Sequence, residues 1–296
     1  MLNFQLKRRT TTSQGQIQGA ITKKTRGFTL LELIIVIVIL GVMSLGIAGF
    51  ITLSTQTYLN VSERDKLLSS ARFAVERLNR ELRNAVPNSI RVTNDTIRHC
   101  IEFTPIKAST FYTAIPVTPD PKKTSIEVIA FINAQGAPFH CTTPCTDFVV
   151  VYPQIPADIY NFDISTGNGK VTALQPFAGL TGDIWTLPIA PSGGMIFTEH
   201  SPTNRLYVFD KPVSYCVNDS ELRRYNQYDF NATQSLDPSG GYVLMAENLP
   251  ADINNAPFSY SSPSLRRNAV VHILLNFDRD GEVIAFDNDV HIENIP

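Results

Sequence analysis

Arg26-Gly27-Phe28-Thr29-Leu30-Leu31-Glu32, running on into Leu33-Ile34-Ile35-Val36-Ile37-Val38-Ile39-Leu40-Gly41-Val42-Met43, decides how this chain is read. A basic leader meets a long apolar segment through a glycine, and one carboxylate lies just inside that segment. Across residues 28–62 Glu32 is the only charged side chain, and 33–53 is a run of 21 mostly apolar residues. At about 1.5 Å per residue, a helix of that length crosses a ~30 Å hydrocarbon layer. A secretory signal has an apolar core of only about 7–15 residues before a small-residue cleavage site, so this run is too long for one.

Charge sets the orientation. Residues 1–27 carry Lys7, Arg8, Arg9, Lys23, Lys24 and Arg26 and no acidic side chain, whereas the far flank, Glu63-Arg64-Asp65-Lys66, is balanced. The leader is therefore expected to stay cytoplasmic, with the bulk of the protein outside. Without the six leader cations, the formal charge of −2 becomes about −8, which gives no general preference for nucleic acid or anionic lipid. An acidic side chain within a span is expensive, roughly 2.5–3.5 kcal/mol for Asp at a helix centre. Glu32 sits near the end, where it either reaches headgroup water or has a specific partner.

Beyond the span, Leu67, Ala71, Ala74, Leu78 and Leu82 recur at helical spacing, with Leu68 and Val75 widening the stripe. Glu76, Arg77, Arg80, Glu81 and Arg83 fall on the other faces. Pro87 marks the expected end, giving one helix over 28–86 of roughly 88 Å at 1.5 Å per residue. Gly41, Gly46 and Gly49 within it fit bending, close helix contact or an ordinary span.

The junction resembles the processing site of type IV prepilins. That resemblance implies cleavage after Gly27 by a prepilin peptidase, methylation of the new N-terminal Phe28, and an assembly role for Glu32 in attracting the N-terminal ammonium of a neighbouring subunit. Residues 75–89, from Val75-Glu76-Arg77-Leu78-Asn79 to Val86-Pro87-Asn88-Ser89, are similar to the minor-pilin family known as the O component of the mannose-sensitive haemagglutinin (MSHA) pilus system. So are Cys100-Ile101-Glu102-Phe103-Thr104-Pro105-Ile106 and Val213-Ser214-Tyr215-Cys216-Val217 with Leu222-Arg223-Arg224-Tyr225. Ala246-Glu247-Asn248-Leu249, Phe258-Ser259-Tyr260 and Val270-Val271-His272-Ile273 resemble the broader J-type pseudopilins of type II secretion.

The remaining residues read as β-rich, because short runs of Val, Ile, Phe and Tyr are punctuated by Pro, Gly, Asn and Asp. A hairpin is expected over 89–93 and 96–103. A meander is expected over 205–210, 213–217 and 221–225, and a last set over 269–277, 281–286 and 290–295. The Pro-containing stretches 104–123 and 188–194 read as loops. Helix first and strands after predict an α+β, pilin-like fold in which a long N-terminal helix packs on a largely antiparallel globular domain. The expected divisions are a leader at 1–27, a membrane-spanning and assembly half at 28–53, an amphipathic half at 54–86 and an extracytoplasmic domain at 87–296.

Cys100, Cys141, Cys145 and Cys216 all lie outside the span, where an oxidising compartment favours disulfides and three connectivities are open. Cys141-Thr-Thr-Pro-Cys145 can close a local loop and leave Cys100 to meet Cys216. Zinc is disfavoured, since Cys-x3-Cys has only His140 nearby. Asp278-Arg279-Asp280-Gly281-Glu282 reads as a hairpin turn more readily than as a calcium loop. Trp185, Tyr207, Tyr225 and Tyr228 read as packing residues before a ligand surface, and His99, His140, His200, His272 and His291 are scattered. No cofactor, metal or catalytic residue is expected.

The resemblance implies a minor pilin that begins as a single-pass inner-membrane precursor with a periplasmic domain. It would be handled by the pilus assembly machinery and meet other minor pilins and the major pilin through its N-terminal helix. Two alternatives are a J-type pseudopilin of type II secretion and, in another class, a membrane-anchored enzyme or ligand-binding protein.

Overall fold

The computed structural model describes residues 27–250, 256–263, 268–279 and 281–292. The leader expected at 1–27 falls outside these except for Gly27, as do Asp280 and Glu293-Asn294-Ile295 of the last expected strand. The chain divides into two units, Met1–Val61 and Ser62–Pro296.

Helix α1, Leu30–Arg83, supplies the described structure of the first unit and enters the second. Its N-terminal part is long and apolar enough to cross a membrane, and its side chains there are exposed. It stops three residues short of the expected Val86 because the backbone is taken over by a strand-like partner. The Val86 N–H donates to the Thr104 carbonyl and the Ile106 N–H to the Asn84 carbonyl, each at 2.8 Å. Those groups cannot also continue a helical ladder.

In the second unit, β1 (Arg91–Asn94) and β2 (His99–Phe103) form the expected hairpin. The chain then makes a long excursion through β3 (Ile106–Ala114), β4 (Ser125–Ile129) and β5 (Phe148–Val151). It continues through the short helix α2 (Ala157–Tyr160), β6 (Asn168–Gly169), β7 (Val171–Ala173) and β8 (Ile184–Pro188). After β9 (Ile196–Phe197) and β10 (Arg205–Phe209) it returns as β11 (Val213–Asn218), beside the strand it left. Five strands remain: β12 (Glu221–Tyr225), β13 (Val243–Glu247), β14 (Phe258–Ser261), β15 (Ala269–Arg279) and β16 (Glu282–Ile292).

Among the described residues, these strands form an antiparallel five-stranded sheet ordered β1-β2-β11-β12-β13 and a three-stranded sheet, β14-β15-β16. The excursion builds an antiparallel six-stranded sheet, β7-β5-β10-β3-β4-β8. Leu67, Ala71, Ala74, Leu78 and Leu82 of α1 share one core with Ile101 and Tyr215 of the first sheet and Ile273, Leu275 and Phe277 of the second. The predicted helical stripe is therefore the buried one. β16 lies along α1, tied by Arg64–Glu282 at 3.0 Å and by Asn288 Nδ2 donating to Asn79 Oδ1 at 3.1 Å. The six-stranded sheet has its own core around Val128, Val149, Trp185, Leu187, Leu206 and Val208. A third cluster, including Val86, Val150, Tyr160, Tyr207 and Phe209, packs where the excursion leaves and rejoins the first sheet.

The layout is the expected α+β arrangement, with three local differences. The stretch 104–123, expected to be a loop, contains β3, where Ala108, Thr110 and Tyr112 point into a core while Lys107, Ser109 and Phe111 face out. Its prolines at 116, 119 and 121 come after the strand and so do not break it. The expected meander is split: β10 lies between β5 and β3 in the six-stranded sheet, and only the β11–β12 hairpin survives, turning through Asp219 and Ser220 at positive φ. The expected break over 287–289 is absent. Asp287 and Asp289 occupy outward positions of one continuous β16, so their polarity obeys the pleat instead of marking a turn.

Candidate functional site

At the junction, Gly27, Phe28 and Thr29 precede the helix and Glu32 lies in its first turn. The Thr29 N–H donates to Glu32 Oε2 at 3.3 Å, and the Glu32 N–H donates to Thr29 Oγ1 at 3.2 Å. This is a reciprocal capping box, Thr-x-x-Glu, in which each side chain satisfies a backbone donor that the start of a helix leaves unpaired. The signal stood in the sequence as Thr29-Leu30-Leu31-Glu32 but is overshadowed there by the apolar run. Its consequence is positional: the helix begins after Thr29, so the Gly27–Phe28 bond lies in non-helical backbone.

Gly27 has no positive φ, and a Cβ built on it would meet nothing within 4 Å. Among the described residues, none requires glycine there. Gly41, Gly46 and Gly49 are likewise open, so a side chain at each would meet no neighbour in the single chain. Phe28 is 75% exposed, and large apolar side chains remain exposed along the adjoining helix.

Two polar clusters in the globular unit are less visible in the sequence. Glu81, bordering the apolar stripe one turn from Leu78, accepts from Arg77 Nε at 2.9 Å, from Tyr215 OH at 3.1 Å and from Arg224 Nε at 3.0 Å. Helix, β11 and β12 are thereby tied to one carboxylate. The hydrogen bond that Arg77 donates to Glu81 raises the Arg77 guanidinium above its ordinary pKa, and burial pushes the Tyr215 phenol well up. The second cluster surrounds Glu102 of β2, which is buried, paired with Arg91 Nε and accepts from Tyr228 OH at 2.8 Å. Burial pushes the Glu102 carboxyl up, against the opposing pull of Arg91. The Arg91 guanidinium also lies 3.7 Å from the centre of the Tyr160 ring.

The four cysteines form two disulfides, Cys100–Cys216 and Cys141–Cys145. The first joins directly facing residues of β2 and β11 close to where the excursion departs and returns. The second closes a short loop within the excursion. Trp185, Tyr207, Tyr225 and Tyr228 are all buried among packing side chains. Gly281 opens the β15–β16 hairpin turn at φ +82°, and Arg279 and Glu282 beside it pair with Glu63 and Arg64 of the helix. Among the described residues no group of three or more His, Cys, Asp or Glu side chains is placed to hold a metal ion.

The sequence pattern of the family described as the prokaryotic N-terminal methylation motif matches residues 22–48. Comparison with curated proteins and with solved structures returns no match. The matched stretch contains Gly27, Phe28, the capping box and the first turns of α1. The chain thus carries a prepilin-like N-terminal methylation motif at the head of a helix long and apolar enough to cross a membrane.

Proposed function

We propose that this chain is a minor pilin of a type IV, MSHA-type pilus, acting in assembly initiation or as a low-abundance or tip subunit. A prepilin peptidase removes residues 1–27 and methylates Phe28, leaving a single-pass inner-membrane protein with its domain in the periplasm until assembly. The observation that carries the reading is the coincidence of the matched motif with a helix start that leaves the Gly27–Phe28 bond outside the helix. A glycine with open space around it among the described residues fits selection by a docking enzyme. The open glycines and exposed apolar side chains of the helix fit packing against other subunits, first in the membrane and then in a filament.

In the assembled state Glu32 offsets the ammonium of a neighbouring Phe28 inside an apolar core, where an unpaired charge is costly. The globular domain supplies lateral contacts or a cap, and its bulk favours low copy number. Mass spectrometry of the N-terminal peptide is the direct test: an N-methylated Phe28 terminus is expected, and an intact leader would remove the reading. Gly27→Ala should reduce cleavage, whereas Glu32→Ala should leave cleavage in place and impair incorporation into filaments. Chromosomal deletion should lower surface piliation while leaving secretion of folded proteins intact. The opposite result would make the chain a pseudopilin of type II secretion. Quantitative proteomics of sheared filaments should find it well below the major subunit.

A further inference from the structure

Four asparagines stand in the Asn-x-Ser/Thr pattern that oligosaccharyl transfer requires: Asn60, Asn94, Asn218 and Asn231. The fold separates them. Asn60 is within α1, Asn94 is paired with His99 in the β1–β2 ladder, and Asn218 is buried at the end of β11. Asn231 alone lies in an exposed loop outside helix and ladder.

The loop Asp229-Phe230-Asn231-Ala232-Thr233 is held from beneath. The Phe230 ring packs against Phe148, Tyr160, Phe162 and Phe209, with centroids 5.3–6.1 Å away. Arg91 donates from Nη2 to the Asn231 carbonyl at 2.7 Å and from Nη1 to the Ala232 carbonyl at 2.8 Å. These contacts engage one ring and two main-chain carbonyls, leaving the side chains of Asp229, Asn231 and Thr233 at the surface. The Thr233 N–H donates to Asn231 Oδ1 at 3.1 Å, an Asx turn that brings the hydroxyl-bearing residue back toward the carboxamide. Asp229, two residues before the asparagine, is 90% exposed and pairs with Lys211 at 3.2 Å, so the loop is tied down on that side as well.

We infer that Asn231 is an acceptor site for en bloc N-linked glycosylation, with a polyprenyl-pyrophosphate-linked oligosaccharide as the donor. Nδ2 forms a bond to C1 of the reducing-end sugar while the C1–O bond to the pyrophosphate breaks. The lipid pyrophosphate leaves with the electron pair, and a base of the transferase takes the Nδ2 proton. The modification rests on the extracytoplasmic placement of the domain proposed above, since the transfer occurs on that side of the membrane.

The test is co-expression of the full chain with a bacterial oligosaccharyl transferase and its lipid-linked heptasaccharide donor. Intact mass and peptide mapping then report glycan and N-terminus together. The expected product carries one heptasaccharide, on the peptide containing Asn231. It is lost completely in Asn231→Gln and Thr233→Ala, retained in Thr233→Ser, and unchanged in Asn94→Gln. A bare Asn231 in a chain beginning at Phe28 overturns the inference while leaving the pilin reading intact, as does a glycan found only on Asn60, Asn94 or Asn218. A glycan on Asn231 of a chain with an intact leader supports the inference and removes the processing reading. A bare Asn231 with an intact leader overturns both.

Discussion

At the residue scale, Glu81 ties the globular unit together, because it accepts from three donors on three elements. Truncating it to alanine leaves Arg224, only 9% exposed, and the Tyr215 hydroxyl without their acceptor. Breaking such a pair costs about 3 kcal/mol, and Glu81→Ala should lose that much in denaturant unfolding of detergent-purified protein. Glu81→Gln, which keeps an acceptor oxygen, should lose less. His99 offers a test by pH. It is buried on β2 with Nδ1 unpaired, and burial lowers its pKa below the ordinary 6.5. The unfolded chain therefore takes up a proton near pH 6.5 that the folded chain resists, so His99 contributes stability above that pH and loses it as the pH falls further. The stability of His99→Phe minus that of the native chain should thus shift toward the variant between about pH 7 and pH 5, the range around the ordinary histidine value. An unchanged difference across that range would show that His99 is not the responsible group.

At the element scale, the helix is two physical objects written in one secondary structure. Up to Val61 its large apolar side chains are exposed, as a lipid-facing or subunit-facing surface must be. From Leu67 its apolar side chains are sorted, with one stripe buried and charges on the flanks. That sorting makes substitution outcomes depend on position more than on residue type. Leu78, fully buried, should cost about 2–5 kcal/mol on truncation to alanine. Phe73, in the same helix but 57% exposed, should change stability by less than about 0.5 kcal/mol. Thermal unfolding of the two variants side by side checks the contrast, and equal losses would mean that Phe73 is covered in the purified protein. The capping box is a smaller contribution: Thr29→Ala should cost about 1 kcal/mol of local helix stability, visible as faster amide exchange in the first turn of α1.

At the scale of the whole globular unit, the main feature is that β2 and β11 are sequence-distant neighbours with an entire six-stranded sheet built between them. The Cys100–Cys216 bond closes a loop spanning a sequence separation of 116, and Cys141–Cys145 one of only 4. On the chain-entropy account, the first restricts the unfolded chain by about 4–5 kcal/mol and the second by about 2. Replacing the first pair by alanines should therefore lower the unfolding midpoint more than replacing the second. The reverse order would place the dominant effect in native-state contacts. The separate core of the six-stranded sheet fits an elaboration carried on the helix-and-sheet unit, while the third cluster joins it firmly through Val86, Tyr207 and Phe209.

The amino-acid order by itself determined the apolar helix, the junction at Gly27 and Phe28, the buried stripe from Leu67 to Leu82 and the β-rich character of the chain beyond the helix. Each is a local pattern, set by composition or by a period of a few residues. The β1–β2 and β11–β12 hairpins were legible for the same reason, since their partners are adjacent in sequence. Only the tertiary structure decided that β10 leaves the expected meander for the six-stranded sheet, that Glu81 collects donors from β11 and β12, and that Asn231 is the member of its pattern lying in an exposed loop outside helix and ladder. Those outcomes depend on which distant strands pair and on which surface is left uncovered, quantities set by long-range packing that no short window of sequence contains.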